Sequence, residues 1–166
     1  MMAKSGTAGA EALTDLILTL FRVNNLTLVW GDRLVAPFGL TSARWQVLGA
    51  IAQAERPQPV SWLARDLGAN RQNVQRIVND LHNEGLVGFE QNPHHRRAKL
   101  VVLTVEGQKA YEAAVEAYYP KADALAEGFP ESDLRAAHRL MVELRQRLEA
   151  ENDAEQQGQK VVPMEE

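Results

Sequence analysis

One stretch limits the fold more than any other: "SWLARDLGANRQNVQRIVNDLHNEGLV", residues 61–87. Two helix-like runs stand only a few residues apart, because Gly68 closes the first and Asn70 opens the second. Glycine just past a helix end and Asn just before a helix start are strong stop and start signals. Gly85 stops the second run in turn. A short helix, a tight turn and a longer helix make a helix-turn-helix pattern. On a wheel of about 100° per residue, Val74, Ile77, Val78 and Leu81 share one side of the second run. Gln72, Arg76, Asn79 and Asn83 lie opposite, with Asn73 and Gln75 on the flanks.

That outer side carries planar amides and a guanidinium. A merely solvated face more usually mixes Lys and Glu in i,i+4 pairs. Arg can pair with guanine, and Asn or Gln with adenine, through two hydrogen bonds in the major groove. Asn70, Arg71, Gln72, Asn73, Gln75, Arg76 and Asn79 are therefore the candidate DNA-contacting residues of this helix. The plainer alternative is a polar face that happens to lack charge. After Gly85, apolar segments at 86–90 and 98–103 read as two short strands joined by "QNPHHRR". His94, His95, Arg96 and Arg97 sit on that turn. A thin basic loop can enter the minor groove, where the potential is most negative over narrow A·T-rich steps. Directly after an Asn/Gln/Arg helix, DNA contact outweighs a solvated basic turn.

The charge distribution agrees. The net charge is −4, yet residues 61–99 hold six Lys/Arg against four Asp/Glu, which leaves twelve basic and eighteen acidic residues elsewhere. Protonation of His82, His94 or His95 beside a polyanion would enlarge the contrast.

The flanking segments read as helices. Residues 1–10 are small and polar and are expected to be disordered. Leu13, Leu16, Ile17 and Leu20 follow three/four spacing in a helix over 11–30. Thr41 or Ser42 suits the start of a second helix, in which Trp45, Leu48, Ile51 and Ala52 form a stripe. "ERPQP" reads as a loop, and Ser61 as the cap of the short third helix. Thr104 can cap a fifth helix that reaches about Tyr119, where Pro120 is expected to kink or interrupt it. A sixth helix spans 132–149, with Leu134, Ala137, Met141, Leu144 and Leu148 in an a/d pattern. Residues 151–166 read as a disordered tail. The domain plan is thus flanking helices at 11–40 and 104–150 around a DNA-binding domain at 41–103. The fold class is mainly α with a small β wing, a winged helix-turn-helix with flanking helices.

Other chemistries are disfavoured. There is no Cys, which removes thiolate catalysis, disulfides and the common zinc sites. No Gly-x-Ser-x-Gly, phosphate loop or paired-carboxylate signature is present, so no enzyme, catalytic residue or cofactor is expected. His94 and His95 are adjacent on an extended segment, point opposite ways and would not share an ion, so no metal is expected. Asp15 and Arg22 interrupt the first apolar stretch, which argues against a signal peptide or a membrane span. A cytoplasmic location is the expectation. Trp30, Trp45 and Trp62 read first as core residues.

"LTSARWQVLGAI", "WLARDLGANRQNVQRIVNDLHNEGLV" and "NPHHRRAKLVVLTVEG" together resemble the MarR family of bacterial winged helix-turn-helix regulators. The resemblance runs in order from about residue 11 to 149. It implies a homodimer in which the first, fifth and sixth helices interlock, so that the winged helix-turn-helix is flanked by dimerisation helices at 11–40 and 104–150. It implies a fourth helix in the major groove, a wing in the minor groove, and release of DNA by a small, often aromatic and anionic, ligand. Trp30, Arg44 and Trp45 are the candidate ligand residues on that basis, as a flat wall and a cation. The wing departs from the family's Asp-x-Arg-Asp-x-Arg form. Asn92 stands at the first acid, His94 at the first Arg and His95 at the second acid, while Arg97 matches the last Arg.

Two function classes follow. The first is a homodimeric repressor that binds duplex DNA on an inverted repeat and answers to a small-molecule effector. The second is a winged-helix adaptor that binds another protein. An adaptor needs an exposed apolar patch on the fourth helix, where this sequence puts amides and Arg.

Overall fold

A computed structural model of the chain describes residues 6–159. The chain divides into two compact units, residues 1–121 and 122–166.

In the first unit, helix α1 (Ala8–Val35) starts where Thr7 Oγ1 accepts a hydrogen bond from Ala10 N at 3.2 Å. It ends in a 3-10 turn, Ala36–Phe38, closed by Gly39 in the left-handed region at φ 69°. Helix α2 (Ser42–Gln53) follows, capped by Thr41. The α1–α2 contact is polar at its centre. Ser42, a buried polar residue, donates from Oγ to Leu28 O at 2.8 Å and from N to Asp32 Oδ1 at 2.6 Å. Both of its donors are satisfied, as burial requires. Gly31 makes room: a Cβ there would lie 2.5 Å from Ser42 Oγ.

Strand β1 (Gln58–Pro59) leads into α3 (Val60–Asp66), and α4 (Arg71–Asn83) completes the helix-turn-helix. Gly68 carries the turn at φ 60°. Asn70 Oδ1 accepts from Gln72 N at 2.8 Å and Asn73 N at 3.4 Å, so it caps α4 as its sequence position predicts. Strands β2 (Val87–Glu90) and β3 (Leu100–Leu103) form the wing. The sheet is antiparallel, in the order β1-β3-β2, with Glu90 opposite Leu100 and Gln58 opposite Val101. Leu48, Leu63, Val74, Val78, Leu81, Val87 and Val101 fill the core between the helices and this sheet. Val74, Ile77, Val78 and Leu81 are all buried, which is the side the wheel assigned to them.

Helix α5 (Val105–Ala126) begins against the end of α4. Thr104 Oγ1 donates to Gly85 O at 2.7 Å and accepts from Gly107 N at 3.0 Å, while Thr104 N donates to Leu86 O at 3.1 Å. A Cβ on Gly107 would stand 1.8 Å from Leu86 O. The second unit is built on α6 (Glu131–Gln159). Its first turn holds Glu131 and Asp133, which suit a helix N-terminus. Leu134, Leu140 and Leu148 are exposed on it.

Several expectations need correction. α1 begins at Ala8, so residues 8–10 are helical, because the Thr7 cap meets an Ala-rich first turn. α3 starts at Val60 after Pro59, so Ser61 lies inside the helix and does not cap it. The "ERPQP" loop contains β1, too short to leave a periodic signal; its Pro59 suits an edge strand. α5 runs through Pro120. Tyr118, with ring centroids 5.9 Å from Trp30 and 5.5 Å from Trp45, anchors the turn before the proline. α6 continues to Gln159, so residues 151–159 are helical where a tail was expected; Glu, Ala and Gln there are good helix formers. The remainder of that tail, 160–166, and residues 1–5 lie outside the described residues. Trp62 is 41% exposed and is not a core residue. It stacks between Arg56 and Arg65, each 5.6 Å from its ring.

α1 is apolar on more sides than one stripe. Leu18, Phe21, Val23 and Leu26 are exposed, Leu26 at 70%, and only Gly31 and Val35 of this helix are buried. By length and composition Ala8–Phe38 even passes as a membrane span, with a mean hydropathy of 1.3, despite Asp15 and Arg22. Surface of this kind needs a cover.

Gly107→Ala is expected to destabilise the protein by ~1–3 kcal/mol, at the upper end because the obstacle is backbone that cannot rotate away. Gly88→Ala is the control, since its Cβ would meet Val102 Cγ2 at an ordinary 3.6 Å. Urea unfolding of both variants checks this, and equal midpoints would remove the junction from the account.

Candidate nucleic-acid interface

The outward side of α4 is built as the sequence suggested. Arg71, Gln72, Asn73, Arg76 and Asn79 are exposed, and Gln75 is partly so. These side chains are tied to one another. Gln75 Nε2 donates to Asn79 Oδ1 at 2.9 Å, and Arg76 Nη2 donates to Asn73 Oδ1 at 3.2 Å. Arg76 also pairs with Asp80 at 3.5 Å. The face is therefore not free of ion pairs, because Asp80 lies one turn along from Arg76. Such pairs limit the rotamers available before any partner arrives. Being exposed, they cost little to exchange for base edges. Asn70 is present, but its Oδ1 is spent on the cap, which leaves its amide NH2 as the donor.

The wing loop, residues 91–99, is folded by two consecutive turns. Asn92 O accepts from His95 N at 3.2 Å, and His95 O accepts from Ala98 N at 3.0 Å. Asn92 Oδ1 also accepts from His94 N at 3.0 Å. Asn at the first acid position thus closes the turn through its own carbonyl, as short Asx side chains do. His94, His95, Arg96 and Arg97 are all exposed at this tip.

Between the wing and the helix-turn-helix lies a cleft of about 510 Å³. Arg71 and Gln75 from α4 face Arg96, Arg97 and Lys99 from the wing, with Ser61 of α3 on the third side. Four cations and no carboxylate line it. Confined like-signed charge focuses the field outward and draws in a polyanion. Lys99 and Ser61 were not among the candidates. Lys99 could have been found from its place in the acid-free run 91–99, whereas the position of Ser61 depends on the packing of α3.

The likeness to known proteins fits this geometry. The model of the MarR family matches residues 38–98. An uncharacterised protein of Mycobacterium tuberculosis is 36% identical over 107 residues, which are 64% of this chain and 73% of that protein. The transcriptional activatory protein BadR of Rhodopseudomonas palustris is 30% identical over 118 residues, 68% of this chain and 67% of BadR. This chain belongs to the MarR family. Among solved structures, the M. tuberculosis transcriptional regulator MosR in complex with DNA aligns with a TM-score of 0.67 at 26% identity, covering 81% of this chain and 96% of MosR. The function class is that of MarR-family transcriptional regulators, and the family is one of regulators, not enzymes.

Of the three candidate ligand residues of this MarR-family chain, the two tryptophans meet at one tyrosine and the arginine turns elsewhere. Trp30 and Trp45 both pack on Tyr118. The Arg44 guanidinium turns to Gly39 O, at 3.0 Å, and to the Glu84 carboxylate. Its side chain is only 18% exposed. Arg44 is thus a strut from the α1–α2 link to Glu84, the C-cap of α4. Nothing local in the sequence couples residues 44 and 84. The cleft beside Trp45, of about 470 Å³, is lined by Ala50, Gln53, Leu67 and Tyr111 and by Asp66 as its charged group.

Arg44→Ala is expected to cost about 1 kcal/mol, because it removes one charge-assisted bond and one to a carbonyl, both replaceable by water in part. Glu84→Gln should cost less, since its carboxylate side is half exposed. Thermal melts of the two variants and their double mutant test the strut. Fully additive effects would mean that the pair does not couple.

Proposed function

We propose that the protein is a homodimeric transcriptional repressor that binds an inverted-repeat operator in duplex DNA and is released by a small ligand. The observation that carries this is the cleft in which Arg71, Arg96, Arg97 and Lys99 flank an exposed Asn/Gln/Arg helix face. On this reading α4 enters the major groove. Gln72, Asn73, Gln75, Arg76 and Asn79 meet base edges there, while Asn70 and Arg71 meet the backbone at its N-terminus. The wing brings His94, His95, Arg96 and Arg97 to the adjacent minor groove. That MosR is described in complex with DNA supports the assignment. The adaptor alternative loses ground because the exposed face of α4 displays amides and Arg with no large apolar residue. The uncovered apolar surface of α1 and the exposed leucines of α6 favour a second copy as their cover. A membrane is the competing cover for α1, and sedimentation with and without detergent separates the two. Two-fold symmetry then requires two half-sites about one helical turn apart.

Selection from random duplexes should recover a palindromic consensus. Arg76→Ala should weaken binding to it by ~1–3 kcal/mol and relax one base position. Arg96→Ala should weaken all sequences alike and flatten the salt slope. An Arg76→Ala variant that loses affinity equally for consensus and random DNA would refute base reading. A reporter fused to the regulated promoter gives the sign: deletion raises expression if the protein represses.

For the ligand, the cleft beside Trp45 is the better site, and Arg44 is not part of it. Trp45 and Tyr111 supply aromatic walls, and the Trp45 Nε1–H is buried without an acceptor among the described residues. With Asp66 as the charged group, the cleft suits a flat neutral or cationic compound. This departs from the anion the resemblance implied. Titration of the protein–operator complex with neutral, cationic and anionic aromatics, read by tryptophan fluorescence, should rank the anions last.

A further inference from the structure

We propose that His94 and His95 contact DNA as imidazolium, so that DNA binding takes up protons and tightens as pH falls through the range where histidine gains charge. This rests on the DNA-binding reading above and adds to it the chemical form in which the wing binds. The wing loop, residues 91–99, holds three permanent cations, Arg96, Arg97 and Lys99, and no acid. Two more charges would raise its content from three to five, a larger relative change than any other short segment near the interface can make. Histidine is the side chain whose charge ordinarily changes between about pH 5 and 8.

The geometry supplies the rest. The two turns closed by Asn92 O and His95 O hold the tip in shape through backbone bonds, so neither ring is needed to build it. Both rings are exposed at the tip. The charged side chains of the wing and of the cleft beside it are Arg96, Arg97 and Lys99, with Arg71 from α4, and Glu90 ends β2. Bound phosphates would surround each imidazolium with anions and so favour the charged form in the complex. His82 is the internal contrast. Its Nδ1 lies 3.0 Å from Val87 O and its ring packs 4.8 Å from Phe89, so it is held against β2 and away from the tip.

The signs follow from linkage. If binding takes up protons, log K rises as pH falls, with a slope equal to the number taken up and a ceiling near two per protomer, hence near four for a dimer on two half-sites. Each added cation that meets a phosphate also steepens the salt slope by about 0.9. In a wing with Arg at these positions the same contacts would be indifferent to pH.

The experiment uses the full-length protein and two probes, the consensus duplex recovered by selection and a random-sequence duplex of equal length. Affinity is measured from about pH 5.5 to 8.5, a range that brackets the imidazole transition and stays above that of ordinary carboxylates. Wild type and the His94→Gln/His95→Gln variant are compared, with His82→Gln as control. Calorimetry in buffers of different ionisation enthalpy counts the protons. Where one to two protons are taken up, the wild type is expected to gain roughly ten- to a hundredfold in affinity per pH unit. The double variant should show a flat profile and a salt slope that no longer changes with pH, while His82→Gln should keep the wild-type slope. Equal pH slopes in wild type and double variant, or zero proton uptake, would overturn the inference while leaving DNA binding intact. Failure to bind either duplex at any pH would instead overturn the DNA-binding reading.

Discussion

The meeting of Leu86 O with Gly107 is the constraint on which the DNA-binding unit depends. At this point the reading helix has ended, the wing is about to begin, and a long helix starts alongside. Three polypeptide segments can share the space only because residue 107 has no Cβ; one would lie 1.8 Å from a carbonyl oxygen. Thr104 then ties the three together through its hydroxyl and its amide. Thr104 serves both helix ends at once: its hydroxyl accepts from Gly107 N in the first turn of α5 and donates to Gly85 O just past the end of α4, so an orphan amide and a free carbonyl are both satisfied. The angle between the reading helix and the wing is fixed by backbone hydrogen bonds and close packing, which do not weaken with salt. The electrostatic part of binding is free to vary with conditions while the frame is not.

A second tie acts at the same end of α4. The Arg44 strut holds Glu84 to the link between α1 and α2. With Asn70 fixing the first turn, both ends of the reading helix are held by side chains while its exposed middle carries the amides. This division makes physical sense. Base readout through paired hydrogen bonds tolerates small errors in position poorly, and the atoms that place this helix, Asn70 Oδ1 and the Arg44–Glu84 pair, are not ones that would meet base edges. The cross-links Gln75–Asn79 and Arg76–Asn73 extend the same economy to rotamers.

How much of this could be read from the chain depended on range. Local signals carried well: Gly68 with Asn70, Gly85 and Thr104 each mark a turn or cap that the structure contains, and the 3.6-residue period of Val74, Ile77, Val78 and Leu81 found the buried side of α4. The wing was legible because two apolar runs bracket a Pro-bearing basic loop. What failed was non-local or too short to be periodic. β1 is two residues long and exists only through its pairing with β3. Arg44 neighbours Trp45 in sequence, yet the carboxylate it pairs with, Glu84, stands forty residues on. Trp62 was assigned to the core by its bulk, yet two guanidiniums on its faces keep it at the surface. Of a kink or an interruption at Pro120, the interruption does not occur: α5 continues past it, with Tyr118 packed on two tryptophans in the turn before.

The wing shows why departure from a family pattern can be more informative than agreement. An acid beside a wing arginine would brace it by an ion pair and remove charge from the tip. Here Asn92 does the bracing through an Asx turn, which is neutral and independent of pH. Once the bracing is neutral, nothing at the tip offsets its cations, and a side chain there can vary its charge without loosening the loop. Histidine is the one natural side chain that does so near neutrality. Asn92, His94 and His95 are therefore mutually consistent with the proposed proton uptake: Asn92 shapes the turn without charge, and the two imidazoles are left free of that task. A protein with a net charge of −4 gains most from such an arrangement. Its long-range field repels a polyanion, so the balance between approach and repulsion is set by a few charges concentrated where the DNA arrives.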